Sequence, residues 1–190
     1  MILDTIQHID ETILLSVQQW GHSSLDLFWQ FVTNKWNSIP LYLLIVFLLF
    51  TKRPPKEAFF YLICIVLLIV VSDQMANLFK NGFERLRPCH LETLNDRLRA
   101  IGYRCGGRYG FYSAHASNAF ALVVFVTSVV KFNRKYSVIL LYIWASLLSF
   151  SRIYLAAHYP SDVLVGALFG SIIALIIYRL SILGSKYILD

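Results

Sequence analysis

The segment "SRIYLAAHYPSD", residues 151–162, places an arginine, a histidine and an aspartate between two apolar runs. A histidine beside a carboxylate is a poised nucleophile. Asp162 would accept one imidazole proton, fix the tautomer and leave the other nitrogen of His158 free to attack. Pro160 interrupts a helix here, so Arg152 ends one element and His158 sits on the turn into the next. The plain alternative is a surface turn with a satisfied histidine.

Two other segments carry complementary chemistry. In "KNGFERLRPCH", Lys80 and Arg87 are seven apart. That spacing predicts one helical face, two turns apart, with Pro88 ending the helix at or just after Arg87. Two converging cations, one of them a planar guanidinium, suit an oxyanion such as phosphate; a solvated helix end is the alternative. In "GRYGFYSAHASNAF", Ser113 stands at an N-cap position and His115 in the first turn of an apolar helix. Free amides at that N-terminus, with the Ser113 hydroxyl, could hold a phosphate. His115 could protonate a leaving alkoxide. Taken alone, an N-cap serine followed by an interfacial histidine explains this segment equally well.

The elements that must position these groups are membrane helices. Of 190 residues, 57% are hydrophobic and 15% charged, and the mean hydropathy is +0.61, outside the balance of a soluble domain. Apolar runs at 36–51, 58–79, 109–130, 136–151 and 163–178 predict about five spanning helices. The fold class is therefore all-α, a polytopic transmembrane bundle. No linker or repeat divides the chain, which reads as one domain over 1–190 with a membrane core at 36–180. Residues 1–35 show apolar side chains at three- and four-residue intervals, the pattern of amphipathic helices that lie in the interface or pack on the bundle. They lack the basic start and compact apolar core of a signal peptide.

Lys52, Arg53, Lys56, Lys131, Arg134, Lys135, Arg179 and Lys186 fall on one side of the bundle, and the positive-inside bias makes that side cytoplasmic. The loop 80–108 opposes this with seven basic residues, interspersed with Glu84, Glu92 and Asp96. With that loop outside, the clusters 80–88, 112–115 and 151–162 all lie at the outer ends of spans. Ionisable groups beside a bilayer are costly unless paired or used, so their convergence marks a site. Asp73, inside a span, takes no role in this reading.

Together the three segments resemble the signature of the type 2 phosphatidic acid phosphatase (PAP2) superfamily: K-x6-RP at Lys80, Arg87 and Pro88, Ser-x-His at Ser113 and His115, and SR-x5-H-x3-D at Ser151, Arg152, His158 and Asp162. The resemblance covers about residues 36–180. It implies a metal-independent phosphomonoesterase or pyrophosphatase that works through a phosphohistidine, with no cofactor. By position, His158 resembles the nucleophile, Asp162 its orienting partner and His115 the general acid. Lys80, Arg87, Ser113 and Arg152 match the phosphate-binding positions. The middle segment departs from the usual Pro-Ser-Gly-His, having Tyr112 and Ala114 for the proline and the glycine, and an added β-carbon would narrow the approach of a phosphate to the backbone.

The net charge of +6 could suggest nucleic acid, but the cations sit in membrane-flanking loops, so the expected partner is an anionic lipid head group and no nucleic acid. Arg85, Arg97, Arg99, Arg104 and Arg108 would spread a positive field over the entrance. Cys64 reads as a packed thiol. Cys89 and Cys105 share the outer loop, where an extracytoplasmic compartment permits a disulfide worth about 3 kcal/mol, and they match no zinc spacing. The expected protein is a lipid phosphatase of a bacterial inner membrane with an extracytoplasmic site. Candidate substrates are undecaprenyl pyrophosphate, a lipid A phosphate, phosphatidylglycerol phosphate and phosphatidic acid. A lipid-linked phosphotransferase of the same fold and a small channel or transporter are the alternatives.

Overall fold

The computed structural model describes residues 2–99 and 101–188, and its regular structure there is helical. The helices are α1 (Ile2–Gln19), α2 (Ser23–Thr33), α3 (Ile39–Lys52), α4 (Pro55–Phe83), α5 (Glu92–Asn95), α6 (Ala114–Val129), α7 (Lys135–Tyr154) and α8 (Pro160–Ile188), with 3-10 turns at Lys35–Ser38 and Pro88–His90. Three helices, α4, α7 and α8, are long and apolar enough to cross a membrane, and α2 with α3 forms a fourth candidate bent by 64°. The remaining expected span, at 109–130, is α6, whose 16 residues extend only about 24 Å at 1.5 Å per residue.

That short helix is the centre of the bundle. Ala121, Val123, Phe125, Val126 and Val129 are all buried, the all-round apolar burial of an interior helix. Its closest partner is α8, where Gly166 and Gly170 repeat at a four-residue interval. A β-carbon on Gly166 would meet the Ser113 carbonyl oxygen at 2.5 Å, and one on Gly170 would strike the Ser117 carbonyl. Small residues at this spacing let two backbones touch, the means by which helices associate where lipid is as apolar as leucine. On the α4 side, the Ser72 and Ser117 hydroxyls are bonded at 2.7 Å. At the C-terminal end of α6, Arg53 donates from Nε and Nη2 to the Val129 carbonyl at 2.9 and 2.6 Å, satisfying an otherwise orphan acceptor where the helix stops. Outward faces of α4 and α8 remain apolar and exposed, including Phe59, Ile63, Val70, Leu164, Leu168 and Leu175, as suits contact with lipid tails.

The N-terminal helices pack where α7 ends and α8 begins. Gln18 Nε2 donates to the Tyr154 carbonyl at 2.7 Å, the Tyr154 hydroxyl donates to Asp26 Oδ1 at 2.6 Å, and Leu14 and Leu15 pack with Leu94, Ala156 and Tyr159. Ile6, Ile9, Ile13 and Leu27 stay exposed on the same two helices, as does Trp20 in the turn between them.

One expected boundary is wrong. Lys80 and Arg87 do not share a helical face, because α4 ends at Phe83 with Glu84 in the left-handed region at φ 47°. The chain beyond it is extended, pairing Leu86 with Tyr109, with the Arg87 amide donating to the Arg108 carbonyl at 3.1 Å. A proline merely forbids helix at the preceding residue, whereas the bridge to 109 draws the chain away four residues earlier.

Candidate active site

The turn between α7 and α8 is built by two complementary caps. Helix α7 closes with Ala156 N–H on the Ile153 carbonyl and Ala157 N–H on the Arg152 carbonyl, both at 3.0 Å. This is a Schellman motif, and Ala156 takes the left-handed position at φ 51°, which usually falls to glycine. The turn folds the chain back so that the His158 amide also reaches the Arg152 carbonyl, at 3.1 Å. Helix α8 then starts with Pro160 at its first position, and Asp162 Oδ2 accepts from the Tyr159 amide at 3.0 Å, the reciprocal half of a capping box. The local sequence Tyr-Pro-Ser-Asp is thus a helix start that also aims a carboxylate.

His158 and Asp162 are both fully buried, with His158 Nδ1 3.6 Å from Asp162 Oδ2. Nδ1 makes no hydrogen bond, and at 3.6 Å the carboxylate stands beside it without bonding it. Burial, and then the positive charges of Arg87, Arg152 and Lys80, hold His158 well below the usual histidine range. Its ring is therefore neutral near pH 7, the form that can attack phosphorus. Gly110 keeps the wall thin here; a β-carbon on it would meet Arg87 Cγ at 3.0 Å and Asp162 Oδ2 at 3.3 Å.

Three cations surround this dyad. Arg87 comes from the extended strand after α4, and its Nη1 and Nε donate to the Cys105 and Tyr109 carbonyls at 2.7 and 3.1 Å. Arg152, from the last turn of α7, donates from Nη1 to Thr33 Oγ1 at 2.5 Å and to the Tyr103 hydroxyl at 2.7 Å. Its Nε is buried without a partner, a free donor for an anion. Lys80 lies within electrostatic reach of Arg87 and Arg152, as does His115. Ser113 caps α6, its hydroxyl accepting from the Ala116 amide at 3.5 Å, and its own amide donates to the Asp162 carbonyl at 3.0 Å. All seven expected site residues thus gather at one end of the bundle.

Arg85 is the residue that sequence reading missed. Its Nη1 donates to Asp162 Oδ1 and Ser161 Oγ at 2.7 and 2.8 Å, and its Nη2 to Asp10 Oδ2 and Gln7 Oε1, both at 2.7 Å. The guanidinium stacks 4.2 Å above Tyr159. Asp10 in turn accepts from the Ser161 amide at 2.8 Å and from its hydroxyl, so a carboxylate of α1 caps the first turn of α8. A signal for Asp10 did exist. It lies on the inward stripe of α1 with Leu14, Val17 and Gln18, where an unpaired acid would be costly. The expected entrance field is reduced accordingly, since Arg85 is committed to Asp10 and Asp162, and Arg99 to Asp26 at 2.9 Å.

Cys89 and Cys105 form a disulfide, with Cα atoms 6.4 Å apart. It braces the carbonyl that holds Arg87. Tyr112 is buried and stacks on Phe169 at 5.3 Å and against Phe79 at 5.2 Å.

Comparison with known proteins gives the family. The PAP2 superfamily model matches residues 57–183. A lipid A 4'-phosphatase of Porphyromonas gingivalis is 30% identical over 179 residues, covering 93% of this chain and 75% of the relative. A lipid A 4'-phosphatase of Bacteroides thetaiotaomicron is 32% identical over 171 residues, covering 89% and 75%. Among solved structures, LpxE of Aquifex aeolicus superposes with a TM-score of 0.65 at 23% identity over 88% of this chain and 93% of that one. A transmembrane PAP2 type phosphatidylglycerolphosphate phosphatase of Bacillus subtilis gives 0.70 at 20% identity over 97% and 88%. The chain therefore belongs to the PAP2 superfamily and is a membrane phosphatase.

Proposed function

We propose that the protein removes a phosphate from a lipid A-type glycolipid at the extracytoplasmic face of a bacterial inner membrane, through a phosphohistidine on His158. The observation that carries the reading is the neutral, buried His158 with Asp162 at Nδ1 and three cations around it. The two relatives named for lipid A favour that substrate among the lipid phosphates. The Cys89–Cys105 disulfide favours an oxidising compartment for the outer end. The exposed apolar residues of α1 and α2 suit the membrane interface.

In this mechanism Lys80, Arg87, Arg152 and the amides at the start of α6 bind the phosphate, with the Ser113 hydroxyl as a further contact. His158 Nε2 attacks phosphorus, the phosphorus–oxygen ester bond breaks, and His115 gives its proton to the departing oxygen. Asp162 stabilises the imidazolium character that develops on His158. Water then loses a proton to His115 and attacks phosphorus, the phosphorus–Nε2 bond breaks with its electron pair returning to the imidazole, and inorganic phosphate and free His158 are released. Phosphoryl transfer asks chiefly for positioning and charge, which the arginines and helix-end amides supply.

The test is phosphate release in detergent from a panel of lipid phosphates and pyrophosphates, with chelator present, for the native protein and His158→Ala. Chelator-resistant release that is greatest on the glycolipid and lost in the variant is the expected result. No release from any lipid by folded protein would overturn the reading.

A further inference from the structure

Asp73 is a carboxylate inside the apolar helix α4, seven residues before Lys80 and within its electrostatic reach. It accepts a hydrogen bond from Asn118 Nδ2 at 2.8 Å. Asn118 follows His115 by three residues on α6, which places it one turn deeper on the same face. Asp73, Asn118 and His115 all line one cavity of about 560 Å³ between α3, α4, α6 and α7, whose other walls are mainly apolar, including Ile45, Ile69 and Trp144; Thr33 and Lys35 border it too, Lys35 being exposed with its ammonium 5.4 Å from the Trp36 ring.

The lining divides the site. His115 borders the cavity, whereas Lys80, Arg87, Arg152 and His158 do not. The cavity therefore adjoins the group assigned to protonate the departing oxygen, and it is the side on which the leaving group lies. The polar pair there presents acceptors. A carboxylate has only acceptors to offer, and Asn118 Oδ1 is buried without a hydrogen-bond partner. The unpaired Asn118 oxygen is an acceptor left over at the border of the cavity after α4 and α6 are joined.

The geometry points to Asp73 and Asn118 as a leaving-group subsite that selects an acylated sugar bearing hydroxyl or amide N–H donors, and rejects a polyprenyl monophosphate. Donors on the sugar would pair with Asp73 and Asn118, while the apolar wall receives an acyl chain. A second phosphate has only acceptors at neutral pH and would face the Asp73 charge across a low-dielectric cavity. The inference rests on His115 acting as the general acid of a lipid phosphatase.

The experiment compares kcat/KM of the full-length protein on a lipid A-type glycolipid phosphate and on a polyprenyl pyrophosphate, for native, Asp73→Asn and Asn118→Leu. Native protein is expected to favour the glycolipid by at least about tenfold. Each variant should lose at least about tenfold on the glycolipid, with the pyrophosphate rate held or raised. A third arm uses native protein alone, with a glycolipid whose donors next to the phosphate are methylated, and expects a similar loss. A selectivity ratio unchanged in both variants, or full activity on the methylated substrate, overturns the subsite while leaving the phosphatase standing. Absence of release from either substrate by the native protein overturns the phosphatase reading and the subsite with it.

Discussion

Arg85 Nη1 donates to Asp162 Oδ1 at 2.7 Å while its Nη2 donates to Asp10 Oδ2 at the same distance. A carboxylate of the N-terminal helix and the carboxylate behind His158 thus share one guanidinium. Arg85 reaches no reacting atom, so it is a positioning residue, and its charge offsets part of the negative field of Asp162. Arg85→Met should lower kcat by about 10- to 100-fold with KM within about threefold. Less offset means more negative charge at His158, which favours the protonated ring, so the acid limb of kcat/KM should move toward neutral pH. Arg85→Lys keeps the charge and should keep the limb, while losing the fork that spans both carboxylates. A loss of rate with no movement of the limb in Arg85→Met would reduce the residue to a structural brace.

His158 itself predicts the native pH profile. With its proton affinity lowered in the fold by burial and by Arg87, Arg152 and Lys80, it remains neutral at pH values where a free histidine, with a pKa of about 6.5, begins to charge. The acid limb of native kcat/KM should therefore lie below about pH 6.5. Stability has a linked sign. Below about pH 6.5 the unfolded chain binds a proton that the folded chain excludes, so this residue destabilises the fold increasingly as pH falls. The drop in Tm between pH 7 and 5 should accordingly be smaller in His158→Gln than in the native protein, as measured by thermal scans in detergent.

The three chemical segments were legible because phosphate chemistry restricts residue type, and because two of their local frames are written in short-range signals. Ser113 marks a helix start, and Pro160 with Asp162 marks another. What was not legible depends on partners distant in sequence. Arg85 is one of several similar arginines in its loop, and only Asp10, 75 residues earlier, and Asp162, 77 later, distinguish it. The end of α4 at Phe83 follows from pairing with Tyr109 across the loop. Tyr112, which looked like a departure within the phosphate loop, fills a space between Phe79 and Phe169 that no local pattern announces. Asp73 gave a clear anomaly and no answer until α6 brought Asn118 beside it.

The Cys89–Cys105 bridge should matter to substrate binding as well as to stability. Cys105 supplies the carbonyl that Arg87 Nη1 holds at 2.7 Å, and the bridge limits how far that carbonyl can move. A loop of this size gains about 3 kcal/mol from a crosslink. Cys89→Ser with Cys105→Ser should lower Tm by several degrees. KM should rise by about 3- to 10-fold, with a smaller change in kcat, because a looser Arg87 weakens ground-state and transition-state phosphate binding alike. Reductant added to the native protein should reproduce both effects, and no effect on KM would disconnect the bridge from the site.

Gly170 tests whether the contact between α6 and α8 sets the site. Its missing β-carbon admits the Ser117 carbonyl, and Ser117 stands one turn below Ser113, whose amide holds the Asp162 carbonyl at 3.0 Å. Overfilling a packed position costs about 1–3 kcal/mol, and the strain can be relieved only by separating two helices that carry His115 on one side and Asp162 on the other. Gly170→Ala should therefore lower both Tm and kcat, although residue 170 lies about two turns from Asp162 on its own helix. Gly82, where a β-carbon meets nothing within 4 Å, is the matched control, and Gly82→Ala should leave activity intact. If Gly170→Ala lowers Tm but preserves kcat, the separation is taken up elsewhere, and the position of Asp162 depends on the caps at Tyr159 and Asp10 rather than on the helix contact.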